Sequence, residues 1–315
     1  MKMLIPPIKS QGIKTKLVPL IRSVVPTDFR GRWIEPFMGT GCVGFNTAPG
    51  EALMCDANPG IISFYHSLTS GEITSRSVRS FLESEGKLLE ELGEDYYYQV
   101  RERFNSFGDP LDFLFVNRAC FNGMIRFNRQ GKFNTPFCRK PQRFSPSYIT
   151  KIVNQVERLA QLFSQKRFEF ELADFAATIE KATEEDVIYC DPPYIGRYSD
   201  YYNSWTDENE TMLFSLLKGT KARFILSTWS HNEFRKNEYF EKCWSRFNTV
   251  TQDHFYHLGG REENRRPMVE ALVFNYSVSE RKTGSSYAKL TAESGVSTPL
   301  FNFYPVELTP PETQT

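Results

Sequence analysis

The chain has 315 residues, of which 40% are hydrophobic and 15% aromatic, and its 38 basic side chains balance 38 acidic ones. This composition is typical of a globular protein with a large core and a smaller lobe, and it argues against a disordered or fibrous chain. No apolar run approaches the roughly 18 residues that span a membrane, and no signal segment opens the chain, so we expect a cytoplasmic protein. Neither the six cysteines, which form no C-x-x-C pair, nor the histidines show metal-ligand spacing. This predicts reduced thiols, structural or surface histidines and no metal.

The amino-terminal part alternates between helical and extended patterns. The predicted elements, in chain order, are a helix at about 14–24, a strand at 32–35, a helix at 43–47, a strand at 52–55 and a helix at 59–68. Such alternation predicts an α/β protein with a parallel sheet.

A tight turn at residues 36–42 joins the first strand to the second helix and carries Gly39 and Gly41. Glycine allows a backbone to approach a ligand closely. The second strand ends in Asp56, near the offset at which a carboxylate meets a ribose hydroxyl in nucleotide-binding folds. A lone G-x-G is common in ordinary turns, but its position between a strand and a helix favours a nucleotide ligand, and the missing third glycine argues against NAD.

Residues 70–112 read as mostly helical, and an acid-free stretch follows them. No Asp or Glu occurs between Asp112 and Glu157, whereas eight basic residues do: Arg118, Arg126, Arg129, Lys132, Arg139, Lys140, Arg143 and Lys151. Asn, Gly and Pro recur within 117–139, as in a hairpin-bearing loop, and phenylalanines alternate with the charges. A basic loop with aromatic and amide side chains suits nucleic acid, although an ordinary solvated basic face is the alternative.

The chain then returns to an α/β pattern, with a helix at 147–163 and strands at 168–172 and 187–190. The last strand ends in Asp191-Pro192-Pro193-Tyr194. Proline has no N–H and a fixed φ, so it ends the strand and leaves backbone carbonyls available as acceptors. A carboxylate, such a carbonyl and an aromatic face would together hold a heteroaromatic amine and localise its lone pair, which is otherwise delocalised into the ring.

Beyond this string we predict a helix at 208–217, a strand at 224–227, an antiparallel pair at 253–258 and 268–276, and a partly disordered tail at 277–315. The loop 194–205 carries Arg197, Tyr198, Tyr201, Tyr202 and Trp205, which either pack together or cover the pocket. Residues 261–266 form a charged turn of both signs, which we expect to be solvated.

The string Asp191–Tyr194 resembles the catalytic motif of the DNA amino-methyltransferases, in the aspartate form typical of adenine-N6 enzymes. Glu-Pro-Phe-x-Gly-x-Gly followed by Asp-x-Asn-Pro resembles the S-adenosylmethionine site of the same enzymes. The resemblance implies that these residues hold the methyl donor: Glu35, Phe37, Gly39, Gly41, Asp56, Asp174 and Asp191.

The segment Lys9–Lys14 resembles the family pattern Lys-Trp-x-Gly-Gly-Lys only in part. Gly12 and Lys14 match, which implies that Lys14 contacts the donor carboxylate. Ser10 replaces the aromatic residue, so Ser10, Gly12 and Lys14 are expected to line the donor site while aromatic packing against the donor comes from elsewhere. Phe175 is a candidate wall for the donor adenine, and a core phenylalanine is the equal alternative.

Residues 117–139 closely resemble the DNA-contacting hairpin of the Dam-like (D12 class, alpha group) adenine methyltransferases. The matching positions are Asn117, Arg118, Phe121, Asn122, Gly123, Arg126, Asn128, Gly131, Phe133, Asn134, Pro136, Phe137 and Arg139. The resemblance implies that Arg126 reads a guanine, which suits its paired donors. The DNA-binding residues expected on this basis are Arg118, Asn122, Arg126, Arg129, Lys132, Asn134, Pro136 and Arg139. Cys138 departs from the usual glycine, so the turn there is expected to differ.

Together these observations predict a Rossmann-like class I methyltransferase sheet with an inserted, mostly helical DNA-recognition domain that bears a β-hairpin. Residues 1–70 and 146–276 would form the catalytic domain, 71–145 the recognition domain and 277–315 the tail. The predicted activity is adenine-N6 methylation of double-stranded DNA by base flipping. Cytosine-N4 or RNA adenine methylation, or DNA binding without catalysis, are the alternatives.

The resemblance further implies a bacterial, archaeal or phage-encoded protein at the nucleoid, a monomer or weak dimer. The resemblance is compatible with an enzyme that is accompanied by a cognate restriction endonuclease and with one that acts alone. The recognition sequence is not readable, although the hairpin favours a GATC-containing or related palindrome.

Overall fold

The computed structural model describes residues 3–195, 205–233, 235–255, 267–278 and 289–291. The predicted loop residues Arg197, Tyr198, Tyr201 and Tyr202 and the charged turn 261–266 lie outside these ranges. The chain separates into two compact units, Met1–Leu226 and Ser227–Thr315. This boundary does not coincide with the predicted domain limits, and the predicted division into catalytic, recognition and tail regions stays a prediction.

The first unit contains a parallel sheet. Its strands are β1 (Trp33–Glu35), β2 (Glu51–Asp56), β3 (Arg167–Leu172), β4 (Val187–Cys190) and the start of β5 (Arg223–Asn232), in the order β3-β2-β1-β4-β5. All the pairings in this row are parallel, and β1 and β4 are buried along their whole length. The chain leaves β1 first toward β3 and later toward β5, so the strand order reverses between β1 and β4. This arrangement confirms the predicted α/β, Rossmann-like fold and puts a crevice at the carboxyl ends of β1 and β4.

Helices connect these strands. They are α1 (Val18–Val24), α2 (Cys42–Thr47), α3 (Pro59–Thr69), α4 (Ser75–Leu92), α5 (Glu94–Phe107), α6 (Pro110–Ala119), α7 (Pro146–Gln165), α8 (Phe175–Ile179) and α9 (Asp207–Gly219). The predicted helix at 14–24 is divided into a 3₁₀ turn, Lys14–Lys16, and α1, because Pro19 favours a new helix start. The short helix α8 was not predicted.

Side-chain caps fix where several of these helices begin. The Asn58 side chain accepts hydrogen bonds from the backbone N–H groups of Gly60 and Ile61 at the start of α3. Asp109 caps α6 in the same way. At the contact between these two helices, a Cβ added to Gly60 would lie 2.8 Å from the ring of Phe113, so a larger residue does not fit there without displacing that buried ring.

The second unit contains an antiparallel group. The strand β6 (Asn248–Phe255) pairs with β7 (Pro267–Phe274) on one side and with β8 (Lys289–Thr291) on the other. The predicted pair is therefore present, but its first strand begins at Asn248 rather than at residue 253. The strand β8 lies within the segment predicted as a tail, which the composition alone did not indicate. A short π-helix, Phe240–Trp244, precedes β6 and was also not predicted.

None of the described helices combines the length and the apolar character that a membrane span requires.

Candidate active site

The string Asp191–Tyr194 and the glycine turn leave the sheet side by side. Trp33 pairs with Val187 and Ile34 with Ile188 in parallel register, so β1 and β4 end at the same edge. The turn with Gly39 follows β1, and Asp191 follows β4. The sheet therefore brings two motifs together that are far apart in the sequence, at the crevice where ligands of such folds bind.

Lys14 pairs with Asp191. Its Nζ lies 2.9 Å from Asp191 Oδ1, and the two side chains are only 10% and 20% exposed. The same Nζ lies 4.9 Å from the centre of the Tyr194 ring, within the range of a cation–π interaction. The amino-terminal segment is therefore held against the predicted catalytic string, which no local pattern in the sequence indicated.

The prolines of the string differ in exposure. Pro192 is buried, whereas Pro193 and Tyr194 are half-buried. Neither proline offers an N–H, so this stretch presents only backbone acceptors until Tyr194. The role of this stretch as an acceptor-rich wall for an amine stays a prediction.

The glycine turn adopts left-handed backbone conformations at Gly39 and Gly41, with φ values of 50° and 76°. A Cβ at Gly41 would lie 2.4 Å from the ring of Phe45, so this glycine is required both by its conformation and by space. A Cβ at Gly39 would meet nothing within 4 Å, so the turn has open space on that side. Such a surface suits the close approach of a ligand to the backbone.

Asp56 is hydrogen-bonded to the glycine turn. Its Oδ2 accepts from the Gly39 N–H at 2.8 Å, and its Oδ1 accepts from the Asn58 N–H at 2.9 Å. Burial nevertheless raises the pKa of Asp56, and these backbone donors oppose that shift. Each carboxylate oxygen has a second lone pair. Asp56 can therefore fix the turn and still accept a hydrogen bond from a ribose hydroxyl.

Glu35 is a buried carboxyl group, 1% exposed, at the end of β1. Its Oε1 accepts a hydrogen bond from Trp33 Nε1 at 2.8 Å. Burial raises the pKa of Glu35 to about 8, against the effect of the Trp33 hydrogen bond, and the charge of Asp191 raises it further. The pKa of Glu35 therefore lies above neutral pH, and Asp191 is near enough for its negative charge to disfavour ionisation of Glu35.

Three aromatic side chains meet beside the turn. Phe37 and Phe175 stack with their ring centres 5.4 Å apart, and Trp205 lies 5.5 Å from Phe37 and 5.4 Å from Phe175. Trp205 Nε1 donates to Glu210 Oε2 at 2.7 Å. The Phe175 ring therefore packs against Phe37, another predicted donor-site residue. Trp205 belongs to the same cluster, whereas the sequence analysis placed it in the loop over the base pocket.

Two other predicted donor-site residues make local hydrogen bonds. Ser10 Oγ donates to the carbonyl of Gln11, and the Asp174 side chain caps α8 by accepting from the Ala176 N–H at 2.8 Å. Gly12 is left-handed, with a φ of 77°, and precedes the turn that carries Lys14. The one local indication of α8 in the sequence is Asp174, an N-cap residue type, which the sequence analysis assigns only to the donor site.

The segment 117–139 folds back on itself without long strands. Antiparallel bridges join Cys120 to Phe137 and Phe127 to Phe133. The side chains of Phe127, Phe133 and Phe137 are buried, so three of the interleaved phenylalanines form the core of this segment. Phe121, by contrast, is half exposed. The predicted hairpin is therefore present in a compact form.

The predicted DNA-binding residues divide by exposure. Asn122, Arg129, Lys132, Pro136 and Arg139 are exposed. Asn122 and Arg139 have positive φ values of 55° and 57°, which is unusual outside glycine and often marks functional positions.

Arg126 and Asn134 are half-buried and hydrogen-bonded to each other. Arg126 Nε donates to Asn134 Oδ1 at 2.8 Å, and Nη2 donates to the Asn134 carbonyl at 3.3 Å. Arg118 differs from all the others because it is buried, only 3% exposed, and lies against α7 rather than on the hairpin surface.

Within the described ranges, no group of His, Cys, Asp and Glu side chains is arranged to hold a metal ion.

Known proteins are similar in sequence to parts of this chain, and one family model matches most of it. Residues 10–258 match the family described as D12 class N6 adenine-specific DNA methyltransferase. A DNA N-6-adenine-methyltransferase of Escherichia phage P1 is 38% identical over 52% of this chain, which corresponds to 21% of the phage protein. A DNA adenine methylase of Escherichia coli (strain K12) is 28% identical over 67% of this chain and 75% of its own length.

A solved structure, the rRNA methyltransferase aviRa from Streptomyces viridochromogenes, aligns with 85% of this chain and 89% of its own at 12% identity. Its TM-score of 0.36 is too low to support a conclusion about this chain.

Proposed function

The chain belongs to the D12 class of N6 adenine-specific DNA methyltransferases, and from this premise we propose that it transfers a methyl group from S-adenosylmethionine to the N6 amine of an adenine flipped out of double-stranded DNA. The observation that carries the proposal is the meeting of Asp191, Lys14, Glu35 and the Gly39 turn at one edge of the sheet. The predicted catalytic string and the expected donor site therefore lie close enough for one bound adenine to meet one bound S-adenosylmethionine.

The target amine would be held by Asp191 and the backbone carbonyls of the proline pair. A carboxylate oxygen carries two lone pairs, so Asp191 can pair with Lys14 and still accept a hydrogen from the amine. Accepting both amine hydrogens removes the lone pair from the ring resonance and directs it outward. The half-buried ring of Tyr194 offers a face on which the flipped base can stack.

The donor would lie along the glycine turn. The open space at Gly39 accommodates a ligand close to the backbone, and Asp56 lies beside it to accept a ribose hydroxyl. The cluster of Phe37, Phe175 and Trp205 offers the aromatic wall that Ser10 cannot supply. When bound, S-adenosylmethionine supplies a methyl carbon made electrophilic by its sulfonium and leaves as S-adenosylhomocysteine.

Positioning would provide much of the rate enhancement. The amine nitrogen forms a bond to the methyl carbon, the carbon–sulfur bond breaks with its electrons going to sulfur, and the amine then loses one proton to water. Because the electrophile is already activated, the chain has to align the two reactants rather than to generate a strong base. Asp191 stabilises the charge that develops on the amine during this step.

The exposed residues of the hairpin would contact DNA. Arg129, Lys132 and Arg139 are placed on its surface, where they can pair with phosphates, and Arg126 is held in a fixed orientation by Asn134. An arginine fixed in this way can present two donors to a guanine in the major groove. We keep a GATC-containing or related palindrome as the proposed site.

Mass analysis of nucleosides tests the proposal. Double-stranded DNA incubated with the protein and S-adenosylmethionine should contain N6-methyladenine and no N4-methylcytosine. Asp191→Ala should form no methylated base while it still binds the same duplex, because it removes an acceptor and leaves the hairpin intact. N4-methylcytosine as the product, or full activity of Asp191→Ala, would contradict the proposed reaction.

A further inference from the structure

One asparagine side chain holds the backbone of the amino-terminal segment against the helix that leads into the hairpin. Asn117 lies in the last turns of α6 and is fully buried. Its Oδ1 accepts from the Lys9 N–H at 2.8 Å, and its Nδ2 donates to the Lys9 carbonyl at 2.8 Å. A side-chain amide carries an acceptor and donors next to each other, so Asn117 alone satisfies both backbone groups of Lys9.

The first turn of the hairpin packs against the same residue. This turn is a short 3₁₀ helix, Phe121–Gly123. Gly123 has a left-handed backbone with a φ of 67°, and a Cβ added to it would lie 2.6 Å from Lys9 Cβ. Conformation and space therefore both require glycine at this position. Lys9 is thus fixed from two sides, by α6 and by the turn in which the hairpin begins.

The segment held at Lys9 continues directly into the expected donor site. Gly12 and Lys14 follow it, and Lys14 Nζ lies 2.9 Å from Asp191 Oδ1. The stretch from Lys9 to Lys14 spans at most about 18 Å when fully extended. Because this stretch is short, a shift of the Lys9 backbone changes the position of the ammonium group beside the catalytic string.

The other end of the segment is held in the same way. Asn46 Oδ1 accepts from the Leu4 N–H, and Asn46 Nδ2 donates to the Leu4 carbonyl, both at 2.9 Å. Asn46 belongs to α2, the helix that begins directly after Gly41. Residues 4–9 therefore connect the helix of the glycine turn with the helix that leads into the hairpin. Each connection is a pair of hydrogen bonds from one asparagine.

We propose that Asn117 is a positioning residue that couples duplex binding at the hairpin to donor binding at the glycine turn. This rests on the proposed function, in which the hairpin holds DNA and residues 10–14 line the donor site. A duplex that fixes the hairpin also fixes Lys9 through Asn117 and Gly123, so the donor meets an ordered segment. Binding to a segment that is already ordered costs less conformational entropy, and each ligand therefore strengthens the binding of the other.

Asn105 offers a matched control. This residue of α5 makes the same kind of hydrogen-bond pair, accepting from the Phe133 N–H at 2.7 Å and donating to the Phe133 carbonyl at 3.1 Å. Its partner lies in the returning arm of the hairpin and not in the amino-terminal segment. Asn105→Ala and Asn117→Ala thus each remove a pair of side-chain hydrogen bonds to one backbone residue, but only Asn117→Ala releases Lys9.

Calorimetry with S-adenosylhomocysteine, which has no methyl group to transfer, measures the coupling. We determine its Kd without DNA and with a saturating duplex that contains the methylated sequence. In wild type the duplex should lower this Kd by at least about 5-fold, the lower end of typical coupling between two sites. Asn117→Ala should bind S-adenosylhomocysteine more weakly without DNA, and the ratio of its two Kd values should approach 1. Asn105→Ala should keep the wild-type Kd without DNA and the wild-type ratio.

Asn117→Asp is the second variant, in case thermal unfolding shows that Asn117→Ala does not fold. Its carboxylate is close in size to the amide and still accepts from the Lys9 N–H, but it offers no hydrogen to the Lys9 carbonyl. The ratio of Kd values should therefore fall in this variant too. The wild-type measurement needs no substitution, and a wild-type ratio of 1 refutes the coupling whatever the variants do.

Two results in the variants would also overturn the role of Asn117. A wild-type ratio in its variants would show that the contact with Lys9 does not couple the two sites. An equal loss of the ratio in Asn105→Ala would reduce Asn117 to a structural residue of the hairpin. The proposed reaction is tested separately. Coupling in a protein that forms no N6-methyladenine would refute the reaction and keep the coupling, whereas adenine methylation with a ratio of 1 would refute the coupling alone.

Discussion

Lys14 Nζ lies 2.9 Å from Asp191 Oδ1, so an ion pair joins the amino-terminal segment to the catalytic string. The same ammonium group lies over the Tyr194 ring. Lys14 therefore contacts both side chains that the proposed mechanism assigns to the target base. The expected role of Lys14 was a contact with the donor carboxylate. From its position we propose that it also orients the Asp191 carboxylate.

Replacing Lys14 should impair catalysis more than folding. Lys14→Met removes the ion pair and lets Asp191 rotate, so we expect a loss in kcat on the order of 10²-fold, which is the effect of a small misplacement of reacting groups. Lys14→Arg should recover part of this activity because it keeps the charge. Steady-state methylation assays give the values. Lys16→Gln is the control, since Lys16 is exposed in the same turn. Equal activity of Lys14→Met and Lys16→Gln would show that the pair has no catalytic role.

The pKa of Glu35 predicts a pH dependence of stability. Burial raises this pKa from 4.5 to about 8 in the folded protein. Glu35 therefore releases its proton at a lower pH in the unfolded chain than in the folded protein. The protonated carboxyl contributes its full stabilisation below about pH 4.5, and this contribution is lost as the pH rises through about 8. The free energy of unfolding should fall over this window, by roughly 5 kcal/mol at most.

Urea unfolding at pH 5 and pH 8 measures this effect. Glu35→Gln removes the ionisable group but keeps a side chain of similar size, so its stability should decline less between the two pH values than that of the wild type. Glu90→Gln, an exposed substitution on α4, should behave like the wild type. Identical pH profiles for wild type and Glu35→Gln would mean that Glu35 is ionised in the folded protein.

Arg126 and Asn134 should act together in sequence recognition. Two of the five N–H donors of Arg126 bond to Asn134, which fixes the direction of the guanidinium. Arg126→Ala should reduce the discrimination between the recognised DNA sequence and sequences that differ from it by one base pair, by about 1–3 kcal/mol. Asn134→Ala should cause a smaller loss in the same direction, because the arginine remains but is less well oriented.

Arg129→Ala provides the contrast to these two variants. Arg129 is exposed on the hairpin, and its loss should weaken binding to all duplexes and reduce the salt slope by about 1 without changing discrimination. The natural site is first found by sequencing methylated adenines, and methylation rates are then compared on duplexes that differ from it by one base pair. If Arg126→Ala and Arg129→Ala have the same effect, Arg126 contacts the backbone and not a base.

Trp205 should contribute to donor binding. Its indole contacts both Phe37 and Phe175. Trp205→Ala should weaken S-adenosylmethionine binding by about 2- to 13-fold, as expected for the loss of an aromatic contact worth about 0.5–1.5 kcal/mol, whereas Trp205→Phe should retain most of the affinity. Calorimetry without DNA provides the measurement. An unchanged affinity in Trp205→Ala would limit this residue to a packing role.

Local patterns predicted the ends of the strands but not the contacts between distant segments. The glycine turn and Asp191 were identified because a short motif at the end of an apolar strand has a definite position in an α/β sheet. The pairing of Lys14 with Asp191 was not, since it depends on how the amino-terminal segment folds back over the sheet. The sequence also could not distinguish Arg118, which is buried against Tyr148, from the exposed basic residues of the hairpin.

Short and non-periodic elements were also missed. The helix α8 has only five residues, too few for a helical period to be visible, and Asp174 was interpreted as a ligand rather than as a cap. The strand β6 begins at Asn248, before the predicted start at residue 253, because its first residues also pair with β7. For β6 a partner elsewhere in the chain, rather than local propensity, determines where the strand begins.

The contact between Gly60 and the Phe113 ring has an evolutionary consequence. It joins the helix that begins just after Asp56 to the helix that leads into the hairpin, so a larger residue at position 60 would have to displace the Phe113 ring and change how these two helices pack. If the hairpin reads the target as proposed, relatives with other recognition sequences should differ at its exposed residues, such as Arg129, and keep glycine at position 60.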